Sequence, residues 1–278
     1  MRHNINTIKT MCHIYVTILT INGLKKMRAF EFLDNIGEIE TSTMVIDKGL
    51  GYNYVEDSLK ITGSYFNFIK YGWGTSILCK DTIVQDKNEL YHSYGIRTYT
   101  GGTLFELANK HDKVDEYFDE VDRLGFDAIE ISDGSTVIPE DERSKLIQKA
   151  KNLGFYTLSE IGKKNPDLDK EYDTQTRINL INKDLESGSD MIIIEGRESG
   201  KNIGIYDDNG NVRLDDLKSI SEKTPKEKIM WEAPQKNQQI ELILKLGNDV
   251  NLGNINCNEI ISLETLRRGL RGDTLGKV

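Results

Sequence analysis

Short apolar runs alternate with longer amphipathic stretches along most of this chain. The runs are TMVIDKG (residues 43–49), FNFIKYGWG (66–74), IRTYTGG (96–102), FDAIEIS (126–132), FYTLSEIG (155–162), SDMIIIEG (189–196), KIMWEAP (228–234) and DVNLGNI (249–255). Each reads as a buried strand that ends on polar or charged residues. Helical spacing of apolar residues marks 54–62, 81–94, 103–110, 113–124, 139–152, 175–187, 214–222, 235–246 and 263–270. Gly95, Gly125 and Gly154 stand where helix C-terminal glycines belong. The polar segment 163–174 reads as a loop, and the glycine-rich segment 196–210 as a mobile one.

Strand starts recur every 20 to 40 residues, with a helix in each interval. That is the βα repeat of a parallel sheet. About eight such units favour a closed (β/α)8 TIM barrel, an α/β fold needing about 250 residues; the chain has 278. No GxGxxG follows the first strand, which argues against a dinucleotide-binding open sheet.

Composition narrows the function classes. The net charge of −9 lacks the basic footprint of a nucleic-acid binder. Cys12, Cys79 and Cys257 are scattered and odd in number, so neither a disulfide framework nor a zinc site is expected, and a reducing cytoplasm fits. Residues 1–26 differ from the rest. Their apolar patch, 11–21, is too short to span a membrane and lacks a signal-peptidase site. They read as a disordered leader or as sequence upstream of a true start at Met27, leaving 27–278 as the catalytic barrel.

A barrel of this kind does chemistry at the C-terminal ends of its strands. Period-two alternation puts Ala128 with Glu130, Leu158 with Glu160, Ile193 with Glu195 and Met230 with Glu232 on inward faces. Four acids then share one mouth, where they repel unless a cation or lysines sit among them. Mg²⁺ takes hard oxygen ligands and keeps waters for a substrate, so it is the cation that fits. The plainer alternative is a layer of Glu–Lys ion pairs that only supports the barrel.

Lys48, Lys70, Lys163 and Lys164 end or follow strands, where a lysine can hold an anion or deliver a proton. Lys163, on the turn after the fifth strand, is the candidate proton donor. Gly101, Gly102 and Thr103 lie between a strand and a helix start, a place for phosphate, and Arg197 follows a strand end. Arg267, Arg268 and Arg271 cluster late in the chain, where barrels often bind phosphate, though Arg267 and Arg268 fit helix-end charge or a subunit contact better. His3, His13, His92 and His111 are not placed for catalysis, and no GxSxG is present. The residues point to a metal- and lysine-assisted reaction on an anionic, phosphorylated substrate.

The blocks MRAFEFL, VIDKGL, FIKYGWGTS, GGTLFE, EISDGS, EIGKK, IIEGRESG, WEAPQK and ISLETLRRGLRGD occur in an order that resembles the phosphosulfolactate synthase family, from residue 27 to 278. The resemblance implies a TIM barrel and a cytoplasmic, Mg²⁺-dependent lyase. Its reaction adds sulfite to C3 of phosphoenolpyruvate, giving (2R)-3-phosphosulfolactate on a route to coenzyme M. It implies a homo-oligomer, with a trimer expected, and no nucleic-acid or membrane partner. It also implies metal ligands among Glu130, Glu160, Glu195 and Glu232, anion binding by Lys48, Lys70 and Arg197, protonation of C2 by Lys163, and closure of the loop after Gly196. Two rivals carry other expectations. A phosphate-binding aldolase or isomerase would use a strand-end lysine as a Schiff base. A non-catalytic stress-associated or anion-binding relative would have lost strand-end Lys or Glu residues, which this chain retains.

Overall fold

A computed structural model describes residues 39–278. The expectations for residues 1–26 and for a start at Met27 lie outside the described residues.

Eight parallel strands form one sheet. They are β1 (Thr43–Asp47), β2 (Phe68–Tyr71), β3 (Arg97–Thr100), β4 (Ala128–Ile131), β5 (Tyr156–Ile161), β6 (Met191–Ile194), β7 (Ile229–Glu232) and β8 (Asn251–Asn256). The hydrogen-bonded order is β3-β2-β1-β8-β7-β6-β5-β4, so first and last strands pair and the sheet curls into a single (β/α)8 barrel. Between the strands lie α1 (Tyr52–Thr62), α2 (Thr75–Leu78), α3 (Asp81–Ser93), α4 (Gly102–Lys110), α5 (Val114–Arg123), α6 (Glu140–Asn152), α7 (Pro166–Asp169), α8 (Thr174–Glu186), α9 (Leu214–Lys223) and α10 (Lys236–Leu246), and α11 (Ile260–Arg267) follows β8. Among the described residues no helix is long and apolar enough to cross a membrane.

Local sequence explains the helices. In α5 the stripe of Phe118 and Val121 is buried, with Asp115 and Glu116 at the positive end of the helix dipole and Arg123 at the negative end. Asp173 caps α8 by accepting from Thr176 N–H at 2.7 Å. Gln235 and Gln238 form a reciprocal capping box on α10.

Strand residues facing outward, such as Val45, Ile69, Ile129, Ile192 and Ile194, join the helices in the larger core. Those facing inward, Met44, Phe68, Tyr99, Ala128, Leu158, Met191, Ile193 and Met230, form a separate apolar plug.

One seam differs. Among the described residues no ladder pairs β3 with β4. Side chains close the gap instead. Asp127, just before β4, accepts from Thr98 N–H (2.8 Å) and from Arg97 Nη1 (2.9 Å). At the other end Glu130 Oε1 accepts from Gly102 N–H at 2.7 Å.

The segment 196–210 is pinned rather than open. Ile203, Ile205 and Tyr206 are buried, Tyr206 donates to the Glu232 carbonyl (2.6 Å), and Gly204 N–H donates to Asp169 Oδ2 (2.8 Å). Its exposed residues are Arg197 to Ser199, Lys201, Asp208 and Asn209. The apolar residues inside this polar-looking stretch are what anchor it.

Candidate active site

One step beyond the apolar plug, alternation turns the next inward side chains into the barrel mouth. They are Lys70 on β2, Glu130 on β4, Glu160 on β5, Glu195 just after β6 and Glu232 on β7. On β8 the pairing with β1 gains a residue between Leu252 and Ile255, and Asn254 takes a left-handed φ of 54°. This bulge brings Asn254 to the mouth beside them. The mouth holds a cavity of about 440 Å³.

Lys70 is the hub. Its Nζ lies 2.9 Å from Glu130 Oε2, 3.2 Å from Glu232 Oε1 and 3.4 Å from Glu160 Oε2. Burial alone would lower its pKa, but Glu130, Glu232 and Glu160 outweigh it and hold the ammonium well above the usual lysine range.

Glu160, Glu195 and Glu232 each bring an oxygen within 4.8 Å of the others. Backbone N–H groups aim two of these acids. Gly196 N–H (2.9 Å) and Arg197 N–H (3.1 Å) donate to Glu232 Oε2, and Arg197 N–H also reaches Glu195 Oε1 at 2.6 Å. Arg197 adopts a left-handed φ of 58° that turns its N–H back into the mouth. Glu195 Oε2 is buried with no hydrogen-bond partner.

Glu106, Glu130, Glu160, Glu195 and Glu232 are buried against two nearby ammonium groups among the described residues, those of Lys70 and Lys164. The imbalance sorts the acids. Burial, then repulsion from Glu160 and Glu232, pushes the Glu195 carboxyl well above the usual range. Burial pushes Glu130 up to about 7, with Lys70 opposing. Burial would raise Glu160 too, but Lys164 and Lys70 hold it well below the usual carboxylate range.

The two lysines after β5 part company. Lys164 lines the mouth, its Nζ 3.0 Å from Glu106 Oε1 and 3.7 Å from Glu160 Oε1. Lys163 is buried outside it, donating to Asp133 Oδ2 (2.6 Å), the Asp133 carbonyl (2.8 Å) and the Thr136 carbonyl (3.1 Å). The expected proton donor therefore lies outside the cavity, and its neighbour Lys164 lines it.

The other anticipated residues divide similarly. Gly101, Gly102 and Thr103 all line the mouth. The N–H groups of Gly101 and Gly102 are already bound, by the Tyr71 carbonyl at 2.8 Å and by Glu130, so neither is free for phosphate. Arg197 lines the rim and donates to the Lys164 carbonyl at 3.0 Å. Lys48 sits just outside, 4.9 Å over the Trp73 ring and paired with Glu198. Arg267 lies at the opposite end of the barrel, fully buried and donating to the carbonyls of Asn248 (2.6 Å) and Val250 (2.7 Å), a structural task.

Comparison with known proteins decides the family. Residues 38–273 match the family described as (2R)-phospho-3-sulfolactate synthase (ComA). The chain is 51% identical over 252 residues to a phosphosulfolactate synthase of Methanocaldococcus jannaschii, covering 91% of this chain and 100% of that one. The chain belongs to the (2R)-phospho-3-sulfolactate synthase family. A second phosphosulfolactate synthase, of Methanothermobacter thermautotrophicus, is 48% identical, with 91% of this chain and 99% of that one covered. Among solved structures, a 3-hexulose-6-phosphate synthase of Salmonella typhimurium superposes with a TM-score of 0.51 at 16% identity, covering 85% of this chain and 94% of that one. That likeness shows the fold alone.

Several residues in the mouth of this synthase-family barrel were not singled out by the sequence. Glu106 is an acid on the core-facing side of α4, two percent exposed, and that polar residue on an apolar face was its signal. Ser132 lies 2.9 Å from Glu160 Oε1 and 3.1 Å from Glu106 Oε1, at a strand end like the acids. Asn254 had no readable signal, because a bulge rather than alternation places it.

Proposed function

We propose that this chain joins sulfite to C3 of phosphoenolpyruvate, forming (2R)-phospho-3-sulfolactate in a C–S bond-forming lyase reaction that opens a route to coenzyme M. The observation that carries the reading is the match along the whole length of a phosphosulfolactate synthase at 51% identity.

The chemistry suits the mouth. The sulfur lone pair attacks the CH₂ carbon, the C2–C3 π electrons move toward the carboxylate, and C2 then takes one proton. Both substrates are anions, so their approach needs fixed positive charge. Lys70 stands at the floor of the mouth, and Arg197 and Lys48 at or beside its rim. Preorganised charge of this kind is the main catalytic resource for a developing oxyanion. Thr103, at the start of α4, adds a helix N-terminus for the phosphate. Lys164, not Lys163, is the acid we assign to C2, because its ammonium is the one that lines the cavity.

The residues also fit the Mg²⁺ that the family resemblance implies. Glu160, Glu195 and Glu232 converge, Glu195 Oε2 is buried without a partner, and carboxylates are the hard ligands this ion takes. We assign the metal to these three, and give Glu130 to the Lys70 ion pair and the β3–β4 seam. When bound, the ion supplies Lewis-acid stabilisation of charge on the substrate carboxylate. A cytoplasmic homo-oligomer, with a trimer expected, completes the proposal.

The test is ³¹P NMR of phosphoenolpyruvate mixed with sulfite, Mg²⁺ and the purified chain. A new phosphosulfolactate resonance that requires sulfite supports the reading. Its absence with folded protein overturns it.

A further inference from the structure

Glu106 has no part in the reading above, yet both of its carboxylate oxygens are hydrogen-bonded beside the mouth. It lies on α4 and is two percent exposed. Its Oε2 accepts from Ser135 N–H at 2.7 Å. Its Oε1 lies 3.1 Å from Ser132 Oγ and 3.0 Å from Lys164 Nζ. A buried carboxylate is tolerated only when paired and hydrogen-bonded, and Lys164 is the cation within ion-pair distance of this one.

The reverse view is equally constrained. The Lys164 stem packs over Gly134, where an added Cβ would lie 3.1 Å from both its Cγ and its Cε. The ammonium then meets Glu106 at 3.0 Å and Glu160 at 3.7 Å, and it is Glu106 that takes its hydrogen bond. Glu195 and Glu130 also act on it through space, and Arg197 holds its backbone carbonyl. Glu106 itself is not among the three converging acids. The same carboxylate ties α4 to the turn after β4 through Ser132 and Ser135. It thereby links α4, whose first turn lies at the mouth, to the proposed proton donor.

We propose that Glu106 is a positioning residue that fixes the Lys164 ammonium in the mouth, so that C2 is protonated from one face only. This rests on the addition reaction proposed above.

The experiment compares wild type, Glu106→Ala and Glu106→Gln as full chains with Mg²⁺, phosphoenolpyruvate and sulfite. Glutamine keeps an oxygen for Lys164, whereas alanine removes it. The expected result for alanine is a fall in kcat of about 10²-fold, the scale of an ångström-sized misplacement. KM should change little, and the product should lose stereochemical purity at C2 as water competes for protonation. Glutamine should restore most of the rate and the purity. A second readout needs no turnover. Modification of Lys164 by an amine-reactive reagent, followed by peptide mass spectrometry, should speed up in the alanine variant. Unchanged stereochemistry and unchanged labelling in that variant would overturn the proposal. So would a loss of rate that tracks unfolding and is not rescued by glutamine. A wild-type chain without addition activity sinks the functional reading instead, while the labelling still decides the role of Glu106.

Discussion

Lys163 and Lys164 are neighbours in sequence and opposites in space. The first places its ammonium on Asp133 and the Thr136 carbonyl, and the second places its own 3.0 Å from Glu106 at the barrel mouth. Gly162, with a φ of 137°, ends β5 and sets this divergence. Replacing Lys163 by Ala breaks a buried ion pair and leaves Asp133 with Arg143 Nη1, 3.2 Å away, as its cationic partner. We expect a loss of about 3 kcal/mol in urea unfolding, the scale of such broken pairs.

Metal binding should release a proton. Burial and its acidic neighbours raise the pKa of Glu195, and a metal ligand must be ionised. Mg²⁺ affinity should therefore rise with pH. Titration calorimetry in buffers of different ionisation heat should show proton release, reduced in Glu195→Gln together with affinity. Affinity that is flat with pH would remove Glu195 from the ligand set.

The β3–β4 seam makes its own acid-limb prediction. Burial would raise the Asp127 pKa, but bonds from His92 and Thr98 N–H and the charges of His92 and Arg97 lower it below the usual value. A depressed folded pKa contributes stability above the unfolded value near 4, and that contribution is lost as pH falls through the folded one. Asp127→Asn should weaken folding at neutral pH by about 1–3 kcal/mol and flatten the loss of stability on acidification. Denaturant unfolding at pH 7 and at pH 3 checks both.

Gly102 is required by closeness rather than by flexibility. A Cβ there would stand 2.4 Å from Ser132 Cβ and 2.5 Å from Glu130 Oε1. Gly102→Ala should cost about 1–3 kcal/mol by overpacking and push Glu130 off its bond to the helix N-terminus. Thermal unfolding and turnover should both fall.

The sequence made the barrel legible because period-two alternation and helix-ending glycines are local signals. The four strand-end glutamates followed from alternation and Lys70 from its place at a strand end, and all five reach the mouth. Three things escaped it. Two adjacent lysines after a strand end cannot be told apart without the turn geometry that Gly162 imposes. The N–H groups of Gly101 and Gly102 looked free because their partners, the Tyr71 carbonyl and Glu130, are distant in the chain. The segment 196–210 looked mobile because its glycines outweighed Ile203, Ile205 and Tyr206, which anchor it.

The oligomeric state expected from the resemblance is open to light scattering, where a trimer should appear at three times the chain mass. A monomeric chain that retains activity would remove the assembly from the account.

The most direct measurement is the rate of phosphosulfolactate formation by wild type and by Lys164→Ala, with Mg²⁺, phosphoenolpyruvate and sulfite. General acids contribute about 10²- to 10⁴-fold, so the variant should lose that much in kcat while its thermal unfolding stays near that of wild type. A Lys164→Ala enzyme that turns over as fast as wild type would contradict the assignment of the mouth's chemistry to this lysine.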